Sequence, residues 1–350
     1  MKSENVKNRV STKDAITGYA DQLVKPLRSL LDDPTIDDVS LNPNGSVYVK
    51  REKWEKYESE TINPKWALAL IQKVSVSIIK KTNSGSPIIS TDLPTGERIE
   101  GLIQPAVRSP VITVRRSDNL VIPLSAYSQA NALMPTHGEK KLQEEADKAK
   151  EAHALYDACK PEEAMQFMIK NKFNMIFSGE TGSGKTTISQ AVLNEIPRSE
   201  RIISIEDSAE LKLDSKLGFE NSIALFYARE SSANANDSYT ADELIISCLR
   251  LRPDRIMLSE MRGSEAYHFF KAIATGHGGA ITSIHAKNPR VALDSAIAFA
   301  HDQKPHWNAD RVKSLVVPNC DVIMQWSNRT CKSVYFPSLD KYVEPKCSRS

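Results

Sequence analysis

Gly179-Glu180-Thr181-Gly182-Ser183-Gly184-Lys185-Thr186, with Thr187 directly behind, combines three glycines with a lysine and two threonines in nine residues. It fits the G-x-x-x-x-G-K-[ST] pattern, in which backbone N–H groups from Gly179 to Thr187 wrap an oligophosphate. Gly182 and Gly184 supply conformations that a Cβ would hinder, Lys185 brings a cation to the β- and γ-phosphates, and the Thr186 hydroxyl suits Mg²⁺. Upstream, Phe173-Asn174-Met175-Ile176-Phe177 reads as a buried strand. Downstream, Ile188, Ala191, Val192 and Ile196 repeat at helical spacing until Pro197. Strand, loop and helix thus come in the required order, and the helix adds the positive end of its dipole to the anion site.

Apolar strands alternate with helical patterns from Pro161 onward, the signature of βαβ units and a parallel sheet. The strand Arg201-Ile202-Ile203-Ser204-Ile205 ends in Glu206-Asp207, with Glu210 just beyond, and Ile256-Met257-Leu258 ends in Ser259-Glu260. Carboxylates at the C-terminal edge of parallel strands sit where open α/β sheets bind ligands. Glu260 is therefore a candidate for polarising an attacking water or the Mg²⁺ shell, and Glu206 for supporting that shell beside Thr186, with either carboxylate open as the principal water-orienting group. Thr275-Gly276-His277-Gly278-Gly279 and Ser283-Ile284-His285-Ala286 bracket another short strand. His285, at that strand's end, is either a sensor of the γ-phosphate or a structural hydrogen-bonder.

The N-terminal part has a different texture. Leu23, Leu27, Leu30 and Leu31 lie at helical spacing before Asp32-Asp33-Pro34, and Val39 and Leu41 alternate into Asn42-Pro43-Asn44-Gly45 and out through Val47 and Val49 as a hairpin. A helix over Trp66–Ile79 and strands between Ile88 and Val114 complete an α+β domain over residues 1–134. Residues 135–160, rich in Lys, Glu and Ala, read as a helical linker with Leu142, Ala146, Ala149, His153 and Tyr156 on one stripe, either bridging domains or merely spacing them. Residues 161–350 form the second domain.

In 350 residues, 40% are hydrophobic and 26% charged, which excludes a disordered chain. With 46 Lys and Arg against 44 Asp and Glu, there is no broad basic field for nucleic acid. Five scattered cysteines with no C-x-x-C pair indicate neither a disulfide framework nor a zinc site. Met1–Gly18 lacks a signal-peptide core, and no apolar run is long enough to span a bilayer, so a cytoplasmic protein is expected.

Taken together, the loop at Gly179–Thr187, the acidic box Arg201–Leu211, the box Leu251–Gly263 and the histidine box Thr275–Asn288 resemble the traffic ATPases of type IV secretion and conjugation systems. These form a branch of the type II/IV secretion and pilus ATPase superfamily. Upstream, Leu27–Pro34, Asp38–Asn42 and Leu93–Ile99 are similar to the N-terminal domain of that branch. The resemblance implies a P-loop NTPase with a RecA-like C-terminal domain and a smaller α+β domain that closes over ATP. It also implies a homohexamer, and Mg²⁺-dependent hydrolysis that powers pilus assembly or transfer of DNA or protein at the inner face of the cytoplasmic membrane, alongside other ATPases and inner-membrane components. Arg98 and Arg115 would then reach the nucleotide from the N-terminal domain, a task suited to a permanently charged, planar guanidinium. Read from the residues alone, Arg115 and Arg116 are equally an exposed basic pair. Ser259 departs from the family's smaller residue before the glutamate.

Two rivals stay open at this level. A nucleic-acid motor shares the RecA-like core, although no basic stripe with interleaved aromatics supports it and no stable sequence-specific nucleic-acid binding is expected. A scaffold that holds nucleotide without hydrolysing it is the other.

Overall fold

The computed structural model describes residues 23–78, 82–93, 95–117, 122–135, 139–227 and 239–344. The polar stretch Met1–Gly18, Pro94 of the expected turn, Ile79 and Cys347 lie outside them. The chain divides into two compact units, one spanning Met1–Ser117 with Tyr227–Tyr239, the other Asp118–Phe226 with Thr240–Ser350.

In the N-terminal unit, helix α1 over residues 23–31 is followed by strands β1 (Asp38–Leu41), β2 (Val47–Lys50) and β3 (Trp54–Tyr57), helix α2 (Pro64–Ser77), and strands β4 (Ile88–Asp92), β5 (Arg98–Leu102) and β6 (Val111–Arg115). They build a six-stranded sheet in the order β3-β2-β1-β6-β5-β4, with every neighbouring pair antiparallel. Val39 pairs with Val49 and Leu41 with Val47, the register that the alternation around Asn42–Gly45 calls for. The apolar faces of α1 and α2 (Leu27, Leu70, Ile71, Val74) close over Val39, Leu41, Ile99, Ile112 and Val114. Asn63 caps α2 by accepting from the N–H groups of Lys65 and Trp66, and Pro64 sits at its first turn, where no N–H is needed.

The second unit carries α3 (Leu124–Gln129), α4 (Glu139–Asp157), α5 (Pro161–Lys170), β7 (Met175–Gly179), α6 (Lys185–Asn194), β8 (Ile202–Glu206), β9 (Ser222–Phe226), α7 (Ala241–Arg250), β10 (Arg255–Met261), α8 (Glu265–Ala274), β11 (Ile281–Ile284), α9 (Pro289–Gln303), α10 (Ala309–Val316), β12 (Val322–Ser327), β13 (Thr330–Phe336) and β14 (Lys341–Tyr342). The sheet order is β14-β13-β12-β7-β11-β10-β8-β9. Strands β12 to β9 run parallel, and the hairpin from β12 through β13 to β14 adds an antiparallel edge. Strands β7, β8 and β11 are buried along their whole length, as a parallel sheet covered on both faces requires. Because β7 lies mid-sheet between β11 and β12, the loop that follows it opens at the carboxyl edge of the sheet.

The division at Ser117 differs from the break read at residue 134, and α4 is no free spacer. Ala149 and Ala152 are buried in the core of the second unit with Met168 and Phe336, and Tyr156 meets Phe336 edge-on. His153 Nε2 lies 3.2 Å from the Tyr342 carbonyl oxygen. Its small-residue stripe is thus a packing face, a use that charge-rich composition disguises. Cys248, Cys320 and Cys331 are free thiols, whereas Cys159 is disulfide-bonded, contrary to the reading of the cysteine pattern.

At the opposite ends of the strands, two arginines serve the fold. Arg201 is fully buried, donating to the Leu251 carbonyl at 2.9 Å, and Arg255 is 2% exposed, donating from Nε to Glu200 Oε2 at 2.8 Å and from Nη2 to the Ile169 carbonyl at 2.9 Å. Removing one partner of a buried pair strands the other charge. Glu200→Ala should therefore destabilise the protein by about 3 kcal/mol in chemical denaturation; an unchanged midpoint would assign the Arg255 charge to other partners.

Candidate functional site

Strand β7 ends at Gly179, where a Cβ would collide with the Trp326 carbonyl oxygen and stand 2.6 Å from Ser183 Oγ, so no other residue fits between strand and loop. Gly184 takes φ +101° as the N-cap of α6, which starts at Lys185 and directs its first N–H groups into the loop. The Ser183 hydroxyl oxygen is buried with no hydrogen-bond partner. A cradle that contains an unsatisfied hydroxyl, a helix N-terminus and a lysine fits an oligophosphate.

Lys185 is 8% exposed, and its Nζ donates to the carbonyls of Gly179 at 2.7 Å and Glu180 at 3.0 Å. Burial pulls this ammonium below the ordinary lysine range, while the charges of Glu260 and Glu210 pull it back. Thr186 Oγ1 donates to Glu210 Oε2 at 3.1 Å. A hydroxyl and a carboxylate side by side are the hard oxygen donors that Mg²⁺ takes.

Glu206, read as support for a Mg²⁺ shell, has both carboxylate oxygens engaged by neighbouring donors. It is 1% exposed; Oε1 accepts from the Ser204 hydroxyl at 2.5 Å, and Oε2 from the N–H groups of Glu210 at 2.9 Å and Leu211 at 3.0 Å. Oε2 holds the turn after β8 while Oε1 is tied to its own strand, and that turn carries Glu210 to Thr186. The carboxylate at the strand end shapes the loop, and the one four residues on faces the cavity.

That cavity, of about 450 Å³, is lined by residues of the loop from Thr181 to Thr187 together with strand-end side chains. Arg262 spans two carboxylates across it, donating from Nη2 to Glu260 Oε2 at 2.6 Å and from Nη1 to Asp207 Oδ2 at 3.2 Å. The other Glu260 oxygen lies 3.1 Å from His285 Nε2. Glu260 and His285, at the ends of neighbouring parallel strands, are therefore brought together, and both face the loop. Lys185, Arg262 and Arg329 stand against Asp207, Glu210 and Glu260, so cations and carboxylates balance within the cavity.

In the N-terminal unit, Arg98 and Arg115 are direct cross-strand partners on β5 and β6. Arg98 is exposed, 3.8 Å from Asp92. The row continues to Asp92 beyond Arg98 and to Asp38 beyond Arg115, so the two arginines are flanked by carboxylates at this strand edge.

With the geometry in place, a family model described as "Type II/IV secretion system protein" matches residues 62–300, more than half of the chain. The chain belongs to this family. Among curated relatives, the type IV secretion system protein VirB11 of Brucella suis is 35% identical over 266 residues, covering 75% of this chain and 72% of that protein. The conjugal transfer protein TrbB of Rhizobium radiobacter is 31% identical over 277 residues, covering 78% and 75%. A crystal structure of the VirB11 ATPase from the Brucella suis type IV secretion system, in complex with sulphate, aligns with a TM-score of 0.82 at 28% identity, over 94% of this chain and 97% of that one.

Within this family framework, Asp207, Arg262, Ser283 and Arg329 line the cavity without having been singled out as site residues. Asp207 and Arg262 sit inside the acidic boxes, next to the residues that were. Ser283 follows from strand alternation, two positions before His285 on β11. Arg329 had a weaker signal, a two-residue turn between two alternating strands.

The environment of Glu206 has a consequence that a titration can read. Burial raises its carboxyl above the usual carboxylate range, opposed by the Leu211 N–H, the Ser204 hydroxyl and the Glu210 N–H. Between the ordinary value of 4.5 and the raised folded value, the native state retains a proton that the unfolded chain has released, so stability falls as pH rises through that window. Glu206→Gln has no such slope. Its stability relative to wild type should climb with pH across the window in urea titrations, and parallel pH profiles for the two proteins would contradict the assignment.

Proposed function

We propose that this chain is a Mg²⁺-dependent ATPase of a type IV secretion system, assembling as a homohexamer and hydrolysing ATP to power pilus assembly and the transfer of DNA or protein. One observation carries the reading: a single cavity gathers the loop with Lys185, the Thr186–Glu210 pair and the Glu260–His285 pair. Membership of the secretion family and similarity to a protein titled VirB11 ATPase support it. The second unit, with its mid-sheet loop strand, fits a RecA-like P-loop NTPase core.

Hydrolysis here is phosphoryl transfer to water. The loop's N–H groups and the Ser183 hydroxyl bind the phosphate oxygens, and Lys185 exchanges the Gly179 and Glu180 carbonyls for the β- and γ-phosphates. Thr186 and Glu210 would hold Mg²⁺, which would supply neutralisation of phosphate charge. Glu260 orients the attacking water: Arg262 fixes one oxygen, and the other exchanges His285 for water. His285 thereby reports whether a γ-phosphate and its water are present. Arg98 and Arg115 supply positive charge from the N-terminal unit to the phosphates. Among the described residues no helix is long and apolar enough to cross a membrane. Work at the inner face of the cytoplasmic membrane, beside other ATPases and inner-membrane components of the system, would then be peripheral.

The test is phosphate release and native mass of purified protein with and without MgATP. Wild type should turn over as a six-chain assembly, Lys185→Ala should lose turnover, and Glu260→Gln should fall at least about 100-fold while still binding MgATP. Equal release from wild type and Lys185→Ala would overturn the reading. Turnover that depends steeply on single-stranded DNA and salt would mark a nucleic-acid motor instead.

A further inference from the structure

Strands β12 and β13 are joined by only two residues, Asn328 and Arg329, with Ser327 paired to Thr330 across the turn. Both turn residues have left-handed backbones, φ 50° and 56°, the signature of a type I′ hairpin. Asparagine tolerates that conformation, but the second position favours glycine, and a long side chain there costs about 1 kcal/mol or more. An arginine held in such a place points to a use for its side chain.

The hairpin is fastened to the phosphate loop. Strand β12 runs parallel to β7, with Trp326 opposite Gly179, and the Arg329 N–H donates to the Ser183 carbonyl at 2.9 Å. The backbone at Arg329 closes directly on the loop's last glycine: a Cβ on Gly184 would stand 3.2 Å from Arg329 Cα. The side chain lines the cavity. The other two cations there are engaged, Lys185 on loop carbonyls and Arg262 between Asp207 and Glu260. Among the described residues, the Arg329 guanidinium has no carboxylate or hydrogen-bond partner.

We propose that Arg329 is a nucleotide-binding residue: the β12–β13 turn carries its guanidinium over the phosphate loop, where it binds phosphate oxygens directly. The proposal rests on the ATP reading above and adds a contact from the C-terminal edge of the sheet, far along the chain from the loop. Guanidinium is the group best matched to phosphate, through paired N–H donors and a charge that persists at any working pH. Because the turn is held by backbone contacts, the root of the Arg329 side chain is fixed beside the loop before ligand arrives.

Asparagine adopts φ near +56° readily and keeps the backbone N–H that bonds Ser183, so Arg329→Asn removes the guanidinium and leaves the turn. Calorimetric titration with MgADP and with inorganic pyrophosphate should show binding weakened about tenfold or more for both ligands. The thermal midpoint should not fall, since asparagine relieves the left-handed strain, and Arg329→Lys should recover part of the loss. In turnover, KM for ATP should rise with kcat within about twofold. Unchanged affinity of Arg329→Asn for either ligand overturns the proposal while leaving the ATPase reading intact. A wild-type protein that binds neither ligand overturns both.

Discussion

The Lys185 ammonium is folded back onto two carbonyls of its own loop, and the site is organised around that contact. A cation in a largely buried cradle must have oxygen partners, and until phosphate arrives the Gly179 and Glu180 carbonyls provide them. The loop keeps its shape because the strand before it, the helix behind it and the β12–β13 hairpin beside it leave it little room to collapse. Gly179 is pinched against Trp326, Gly184 against Arg329, and Ser183 lends its carbonyl to the Arg329 N–H. Preorganisation of this kind is what an anion site needs, since donors already aimed at the ligand cost no rearrangement when it binds.

Charge at the strand ends is arranged on the same principle. Glu206 spends Oε2 on the turn that follows it and Oε1 on the Ser204 hydroxyl of its own strand, and that turn delivers Glu210 to Thr186. Arg262 ties Asp207 to Glu260, and Glu260 leans on His285, so three neighbouring parallel strands share one network. Balanced cations and carboxylates keep the cavity near neutrality, and a highly charged phosphate ligand then competes for donors that are in place but exchangeable. In the proposed cycle, Lys185 and His285 are the groups whose partners change.

Much of this was legible in the residues. Glycines at fixed offsets, a strand before and a helix after identify the phosphate loop, because each element has a local physical cause. The hairpin at Asn42–Gly45 and the strand ends at Glu206 and Glu260 follow from alternation and turn chemistry. What stayed hidden depends on distances through space. Glu206 and Glu210 have the same chemistry, and only the hydrogen bonds of the turn decide which one faces the cavity. Helix α4 reads as a linker, bridging domains or merely spacing them, because its charged residues outnumber the alanines that bury it. Arg329 lies more than a hundred residues beyond the loop, and only the β12–β7 pairing brings them together.

A crystal structure of the protein with Mg²⁺ and a non-hydrolysable ATP analogue tests the central claim most directly. The account predicts that Lys185 Nζ leaves the Gly179 and Glu180 carbonyls for the β- and γ-phosphates, that the ion lies between Thr186 and the phosphates, and that Glu260 faces the γ-phosphate. Nucleotide bound elsewhere, with Lys185 still closed on its own loop, would contradict it.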